Sequence, residues 1–411
     1  MSRLRIALDL VAVPRAVETQ TQELLPVRFA QALTQHAPKV DFLVLSRPAL
    51  HAELAYLDAP NVARVVVPNP SLGQQLLERA RTRLAGRLAR WRRAAPPRWP
   101  HRTRRPLFAF RPSLVARLHT SAVFCPFTTP QLGDPLVPLV AALSDLRHLS
   151  HPHLLTSSQR AAQARAFDAT RRRADRLVCS AACVREAALQ QAGALGNRII
   201  TIPPGRLLLR APRHRQVASS VVARHRLRER GYLLLAADVE PRHNHQLALT
   251  ALGMLRARRP ASSLQLVCVG GPVARMAHLR EAVERMRLGG AVQCLDPVPP
   301  EELLDLIQGC QALLVPSLYE TVGETILEAI ALGRPVLCSR APSLAELLAD
   351  GALAFDPHRP ADLAALLERI ELEPGVLEDV ARRGQARLAT LDDAERVTRA
   401  VVSVLRGEVA A

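Results

Sequence analysis

The chain has 411 residues, 48% of them apolar and only 3% aromatic, with 55 Arg and Lys against 37 Asp and Glu for a formal charge of +18. That length accommodates two domains with a sizeable core each, and no apolar run approaches the roughly eighteen residues that a membrane-spanning helix needs. The charge is almost wholly arginine, Lys39 being the sole lysine, and it favours anionic partners: a nucleotide diphosphate, an anionic lipid or a nucleic acid.

The N-terminus, Met1 to Leu10, is charged and then strand-like, without a secretory cleavage pattern, so a cytoplasmic protein is expected. The seven cysteines sit mostly in apolar stretches and form no paired CxxC, which reads as small reduced hydrophobes and not as disulfides or metal ligands. Apolar runs predict strands at Ile6–Leu10, Phe42–Leu45, Ala63–Val67, Ala122–Cys125, Val137–Leu143, Leu177–Ser180 and Ile199–Ile202, alternating with helical patterns. Between Val11 and Gln22, after the first strand, there is no glycine.

From residue 71 to 106 the chain carries eleven arginines and one acid, Glu78. Leu72, Leu76, Ala80, Leu84, Leu88 and Trp91 recur there at helical spacing, and Trp99 follows. A basic amphipathic helix ending in Trp is the pattern of an interfacial helix on an anionic membrane surface, and the alternative is a solvated face on a packed helix or an insertion. Further on, Ser144-Asp145-Leu146-Arg147-His148 ends a buried strand. On its own terms Asp145 reads as a helix cap or ion-pair partner. His148, His151 and His153 cluster too loosely to complete a zinc set, so no metal is expected.

Pro203-Pro204-Gly205 and the basic stretch to His214 read as a linker. A second strand series follows at Tyr232–Ala237, Leu264–Gly270, Val292–Leu295, Ala312–Val315, Val336–Cys338 and Ala352–Phe355. Two such series argue a parallel α/β architecture. After the first of these strands, Asn244 is placed to cap a helix running to about Arg259. Arg242, with His243 beside it, would then flank a helix N-terminus, where a cation and free N–H groups suit a diphosphate. Gly270-Gly271-Pro272 reads as a turn with close backbone approach to a ligand.

The most informative stretch is Pro316 to Ala329. A strand stops at Pro316, a polar loop carries Glu320, and a helix starting at Gly323-Glu324 runs to Gly333, with Pro335 opening the next strand. Glu328 lies one turn inside that helix and is placed to face the same crevice as Glu320. Two carboxylates beside a helix N-terminus suit sugar or ribose hydroxyls, with phosphate left to the backbone N–H groups. The alternative is an ordinary solvated helix face.

This segment resembles the Glu-x7-Glu motif of retaining, nucleotide-sugar-dependent glycosyltransferases of the large family four (glycosyl transferases group 1). The family's usual Glu-Gly-Phe-Gly reads Glu320-Thr321-Val322-Gly323 here, and Tyr319, Glu328-Ala329, Gly333 and Pro335-Val336 stand in family positions. Glu240-Pro241-Arg242-His243-Asn244 resembles the family's Glu-Pro-Arg-Lys-Asn, with His243 for Lys and Ala237 for a Gly. Ser144 replaces a family His, and the family's Gly-rich first loop is missing. The resemblance implies a GT-B fold, an α/β protein of two Rossmann-like domains facing across a cleft. It implies domains at 1–205 and 206–390, with 391–411 crossing back to the first.

The resemblance further implies catalytic roles for Glu320, Asp145 and Arg242. It implies donor binding by Glu328, Arg242, His243, Gly270, Gly271, Val322, Gly323, Glu324 and Thr325. Glu320 would handle sugar hydroxyls and Glu328 the ribose. The expected activity is transfer of a sugar from a nucleotide-diphosphate sugar to a growing glycan, with a lipid-linked acceptor, as in polysaccharide or lipopolysaccharide synthesis. No cofactor or metal is required, and the chain would sit in the cytoplasm, held peripherally to the membrane through residues 71–106. A catalytically silent relative that binds nucleotide or glycan as a scaffold is the alternative. No nucleic-acid partner is expected, because no DNA- or RNA-reading motif accompanies the charge and aromatics for base stacking are few.

Overall fold

The structure, a computed structural model, describes residues 3–12, 25–69, 113–126, 129–192, 196–210, 219–373 and 375–408. The basic segment 71–106 and most of the loop from Val11 to Gln22 lie outside the described residues. All thirteen strands read from the sequence are present: β1 (Arg5–Asp9), β2 (Asp41–Ser46), β3 (Val62–Val66), β4 (Ala122–Cys125), β5 (Leu139–Leu143), β6 (Arg176–Cys179), β7 (Ile199–Thr201), β8 (Tyr232–Ala236), β9 (Gln265–Val269), β10 (Val292–Cys294), β11 (Ala312–Val315), β12 (Val336–Ser339) and β13 (Leu353–Phe355). The helices include α1 (Leu25–His36), α2 (Arg147–Ser150), α3 (His245–Arg258), α4 (Val273–Arg285), α5 (Glu324–Ala331), α6 (Pro342–Leu348) and α7 (Ala394–Arg406).

The described residues divide into two compact units, one holding those up to Leu207 together with 393–408, the other those from Leu208 to Asp392. The first has a seven-stranded sheet in the order β3-β2-β1-β4-β5-β6-β7, the second a six-stranded sheet in the order β10-β9-β8-β11-β12-β13. Every strand pair in both sheets is parallel. Parallel strands covered on both faces must be apolar along their length, which is why the central ones read as continuous hydrophobic runs, while the edge strands β3 and β10 carry Arg64 and Gln293. β4 (Ala-Val-Phe-Cys) is buried at every position. Each unit is thus a Rossmann-like doubly wound sheet, apolar clusters lying on both faces.

Helix α7 follows the second unit in sequence but buries Val401, Val402, Val404 and Leu405 in the core of the first, against Val27 and Leu33 of α1. Asp393 starts it by accepting from Arg396 N at 2.9 Å, and Gly407 ends it in the left-handed region at φ 73°. All seven cysteines are free thiols. Burial pushes Cys179 and Cys338 up to about 12, so neither offers a thiolate near neutral pH. No helix among the described residues is long and apolar enough to cross a membrane.

Candidate active site

In the second sheet the strand order reverses between β8 and β11. In open α/β sheets ligands bind at such a reversal, outside the carboxyl ends of the strands. The loops that leave β8 and β11 carry Arg242, His243 and Glu320, and the structure joins them directly: Leu318 N donates to Arg242 O at 2.7 Å. Arg242 lies in a 3-10 turn, Pro241–His243, and both Arg242 and His243 are buried. The Arg242 guanidinium donates through Nε to Glu240 Oε2 at 2.8 Å and lies 4.0 Å from Glu320 Oε1. His243 Nδ1 is 3.4 Å from Ser317 Oγ. The cation and the loop carboxylate expected from the sequence therefore share one edge of one sheet.

Asn244 departs from its expected role. It precedes α3 in a left-handed conformation at φ 55°, makes no side-chain cap, and donates Nδ2 to Pro357 O at 2.8 Å. Its amide ties this loop to the one after β13, leaving the first N–H groups of α3 without a side-chain acceptor from Asn244. His245, the first residue of α3, is buried, and burial holds it down to about 4 against the opposing effect of the Ala237 backbone.

The β11 loop is fastened at three places. Ser343 Oγ on α6 donates to Glu320 O at 2.7 Å, Ser339 Oγ donates to Ser317 O, and Thr321 N donates to Glu320 Oε1 at 2.9 Å. Gly323 then opens α5 at φ 72°, and a Cβ there would lie 2.7 Å from Leu347 Cδ2. Glycine is required on both counts. Val322, Glu324 and Thr325 are half-buried around this helix start.

Gly270 and Gly271 also take positive φ, 130° and 75°. The close approach expected of them is to the protein's own chain: a Cβ on Gly270 would sit 2.8 Å from Ala237 C, and one on Gly271 would overlap Asp238 Oδ1. Asp238 receives Arg275 NH1 from α4 at 2.6 Å, and Arg275 lies 3.6 Å from Glu240. Desolvation raises the Asp238 carboxyl above 3.8, against the lowering effect of Arg275. A line of alternating charge thus runs Asp238, Arg275, Glu240, Arg242, Glu320 across the β8–β11 edge. The sequence reading singled out neither Asp238 nor Arg275. An arginine on an exposed helix turn carries no signal in a chain with this many.

Glu328 has the largest surprise. It lies in the second turn of α5 with none of its surface exposed, and Arg210 grips its carboxylate two-handed, Nε to Oε1 at 2.7 Å and NH2 to Oε2 at 3.2 Å. The Arg210 side chain keeps 26% of its surface exposed. Burial lowers the guanidinium's affinity for its proton, but the bonds and charge of Glu328, with Glu324 behind it, raise it overall. Arg210 stands in the stretch read as linker, 118 residues from its partner.

In the first unit, Asp145 follows β5 and accepts from Arg147 N at 3.0 Å and from the Arg147 guanidinium at 2.9 Å. It therefore closes a turn just ahead of α2, whose N-cap position is Leu146, and forms an ion pair. His148 is buried against Phe167, ring centroids 5.7 Å apart, and burial lowers it below 6.5. The first sheet reverses between β1 and β4. There Asp9, buried, accepts from Val11 N, Gln131 N and Leu132 N at 3.2, 2.7 and 2.8 Å, fixing the loop after β4 to the end of β1. Sequence reading took Asp9 as an ordinary strand residue. Among the described residues no group of three or more His, Cys, Asp or Glu is arranged to hold a metal ion.

Residues 223–387 match the family described as glycosyl transferases group 1. Among curated proteins, the D-inositol 3-phosphate glycosyltransferase of Streptosporangium roseum is 30% identical over 53% of this chain and 51% of its own length. That of Paenarthrobacter aurescens is 28% identical over 61% and 62%. The chain spans about half the length of the first curated relatives it matches. Among solved structures, sucrose-phosphate synthase from Thermosynechococcus elongatus superposes with a TM-score of 0.68 at 17% identity, covering 98% of each chain. Anabaena Alr3699/HepE in complex with UDP and glucose gives 0.68 at 14%, covering 98% of this chain and 99% of its own. These likenesses identify the fold as GT-B.

Proposed function

We propose that this chain, a glycosyltransferase of group 1 by its residues 223–387 and a GT-B protein by its fold, moves a sugar from a nucleotide-diphosphate sugar to an acceptor hydroxyl with retention of anomeric configuration. The observation that carries the reading is the juxtaposition at the β8–β11 reversal. There Arg242 lies 4.0 Å from Glu320, on a loop bonded to the one that opens α5. The developing charge on the departing diphosphate falls to Arg242, His243 and the backbone N–H groups at the start of α5, around Val322 to Thr325, with Gly270 and Gly271 shaping the neighbouring turn. Glu320 orients the sugar, Glu328 takes the ribose hydroxyls, and Asp145 serves the acceptor side. Catalysis then rests on positioning and charge stabilisation. Protein cations and amides take the diphosphate charge, so turnover proceeds without a divalent metal and survives EDTA.

The acceptor is a growing glycan, lipid-linked, handled at the inner face of the membrane by segment 71–106. The relatives' printed names make inositol phosphate the competing acceptor. The test is a panel of UDP-, GDP- and ADP-sugars with inositol phosphate and lipid-linked glycan acceptors, read by nucleoside diphosphate release and by the anomeric configuration of the product. Release with one donor and retention supports the reading, and an inverted product contradicts it. A second reading, a silent nucleotide or glycan binder, draws on the Arg210 grip that covers Glu328. Saturable binding with no turnover across the panel would select it.

A further inference from the structure

We propose that Arg210 is a nucleotide-binding residue, held on Glu328 while the site is empty and released to the donor's diphosphate when ribose hydroxyls take the carboxylate. This rests on the donor site proposed above and adds a residue and an exchange to it. Glu328 has no exposed surface, and both its oxygens lie in the Arg210 fork. Because Glu328 has no surface open to solvent, ribose hydroxyls can reach that carboxylate only if a side chain covering it moves. Of the pair, only Arg210 touches solvent, with 26% of its side chain exposed, so it is the partner free to swing. Its place favours the exchange. Its bonds reach Glu328 in the second turn of α5, the helix whose start is proposed to receive phosphate, and the charges of Glu324 in the first turn and of Glu301 add to the field around it.

The charges dictate what can drive the swap. A buried carboxylate or guanidinium stripped of its partner is strongly unfavourable. A nucleoside alone offers hydroxyls to Glu328 but leaves Arg210 without an anion. Inorganic pyrophosphate offers Arg210 an anion but leaves Glu328 buried and unpaired. A nucleoside diphosphate supplies both replacements at once, hydroxyls for the carboxylate and paired phosphoryl oxygens that match the planar fork of the guanidinium. The pair therefore favours the intact nucleotide over either half.

The test is calorimetric titration of the full chain, its Arg210→Gln variant and its Arg210→Lys variant. The titrants are the nucleoside and nucleoside diphosphate of the base that binds. The parent is expected to prefer the diphosphate strongly, and Arg210→Gln to shrink that preference by ~10-fold or more, the weight of one charge-assisted bidentate contact. The loss falls on the diphosphate, while the nucleoside, no longer competing with a guanidinium, binds as well or better. Arg210→Lys, which keeps the charge and gives up the two-pronged contact, loses a smaller part of the preference. A purely structural Arg210 would weaken both ligands alike, so an unchanged ratio in Arg210→Lys and in folded Arg210→Gln overturns the inference while leaving the donor site standing. A parent that binds no nucleoside diphosphate overturns the donor site and the inference together.

Discussion

Replacing Glu328 by Gln removes the charge that faces Arg210 without changing the shape of the side chain, and the structure sets the size of the effect. Breaking a fully buried ion pair from one side costs about 3–5 kcal/mol. Arg210 can turn its exposed quarter further into water, which brings the expected loss to about 2–3 kcal/mol. For a unit of this size that is a fall of roughly 5–10 °C in Tm. The double variant Arg210→Met with Glu328→Leu removes both charges and fills the space with apolar atoms, so it should lie within about 1 kcal/mol of the parent. Urea denaturation of the parent, Arg210→Met, Glu328→Leu and this double, without nucleotide, gives the coupling directly, and those two singles should sum to at least ~2 kcal/mol more than the double. A Glu328→Gln cost below about 0.5 kcal/mol, or singles that simply add to the double, would refute the buried pair as described.

Three further outcomes follow from other parts of the molecule. Because burial holds His245 down to about 4 while its ordinary value is 6.5, the unfolded chain binds a proton that the folded chain refuses between those values. Stability is complete above pH 6.5 and falls by about 3 kcal/mol as the pH drops toward 4. His245→Gln should flatten that part of the acid denaturation curve, and an identical slope would contradict it. Gly323→Ala meets both the left-handed backbone and Leu347 Cδ2, and should lose about 1–2 kcal/mol, with Leu347→Ala restoring only the steric part. Equal stability of Gly323→Ala and the parent by urea titration would count against the loop geometry. Asp9→Ala strands the N–H groups of Val11, Gln131 and Leu132 and should cost about 2–3 kcal/mol. Faster limited proteolysis near residue 131 would accompany it, and an unaltered digestion pattern would argue against the anchor.

The fold was legible because its information is local. Parallel strands covered on both faces, such as Ala122–Cys125 and Ala312–Val315, are short apolar runs bounded by turn residues, and the structure returns those two with the same bounds. Gly323 and Gly333 announced the ends of α5 through the positive φ that each adopts. The site was legible only where a motif spans a single loop, as in Glu320 to Glu328. What the sequence hid is long-range. Arg210 finds Glu328 across 118 residues, Asp9 finds Gln131 across 122, and Asn244 abandons its cap for Pro357 across 113. Asn is a good helix cap on its own terms, but a carbonyl from another loop competes for the same amide. The arginine-rich background also hides Arg210 and Arg275, because nothing local in the sequence marks which arginine meets a distant carboxylate.

The most direct measurement is calorimetric titration of the purified chain with UDP, GDP and ADP, repeated with Arg242→Ala and Glu320→Gln. Saturable binding of one nucleotide at a single site, weakened about tenfold or more by Arg242→Ala and left nearly unchanged by Glu320→Gln until the sugar is attached, is the predicted result. No binding of any of the three, or binding indifferent to Arg242, would contradict a donor site at the β8–β11 reversal.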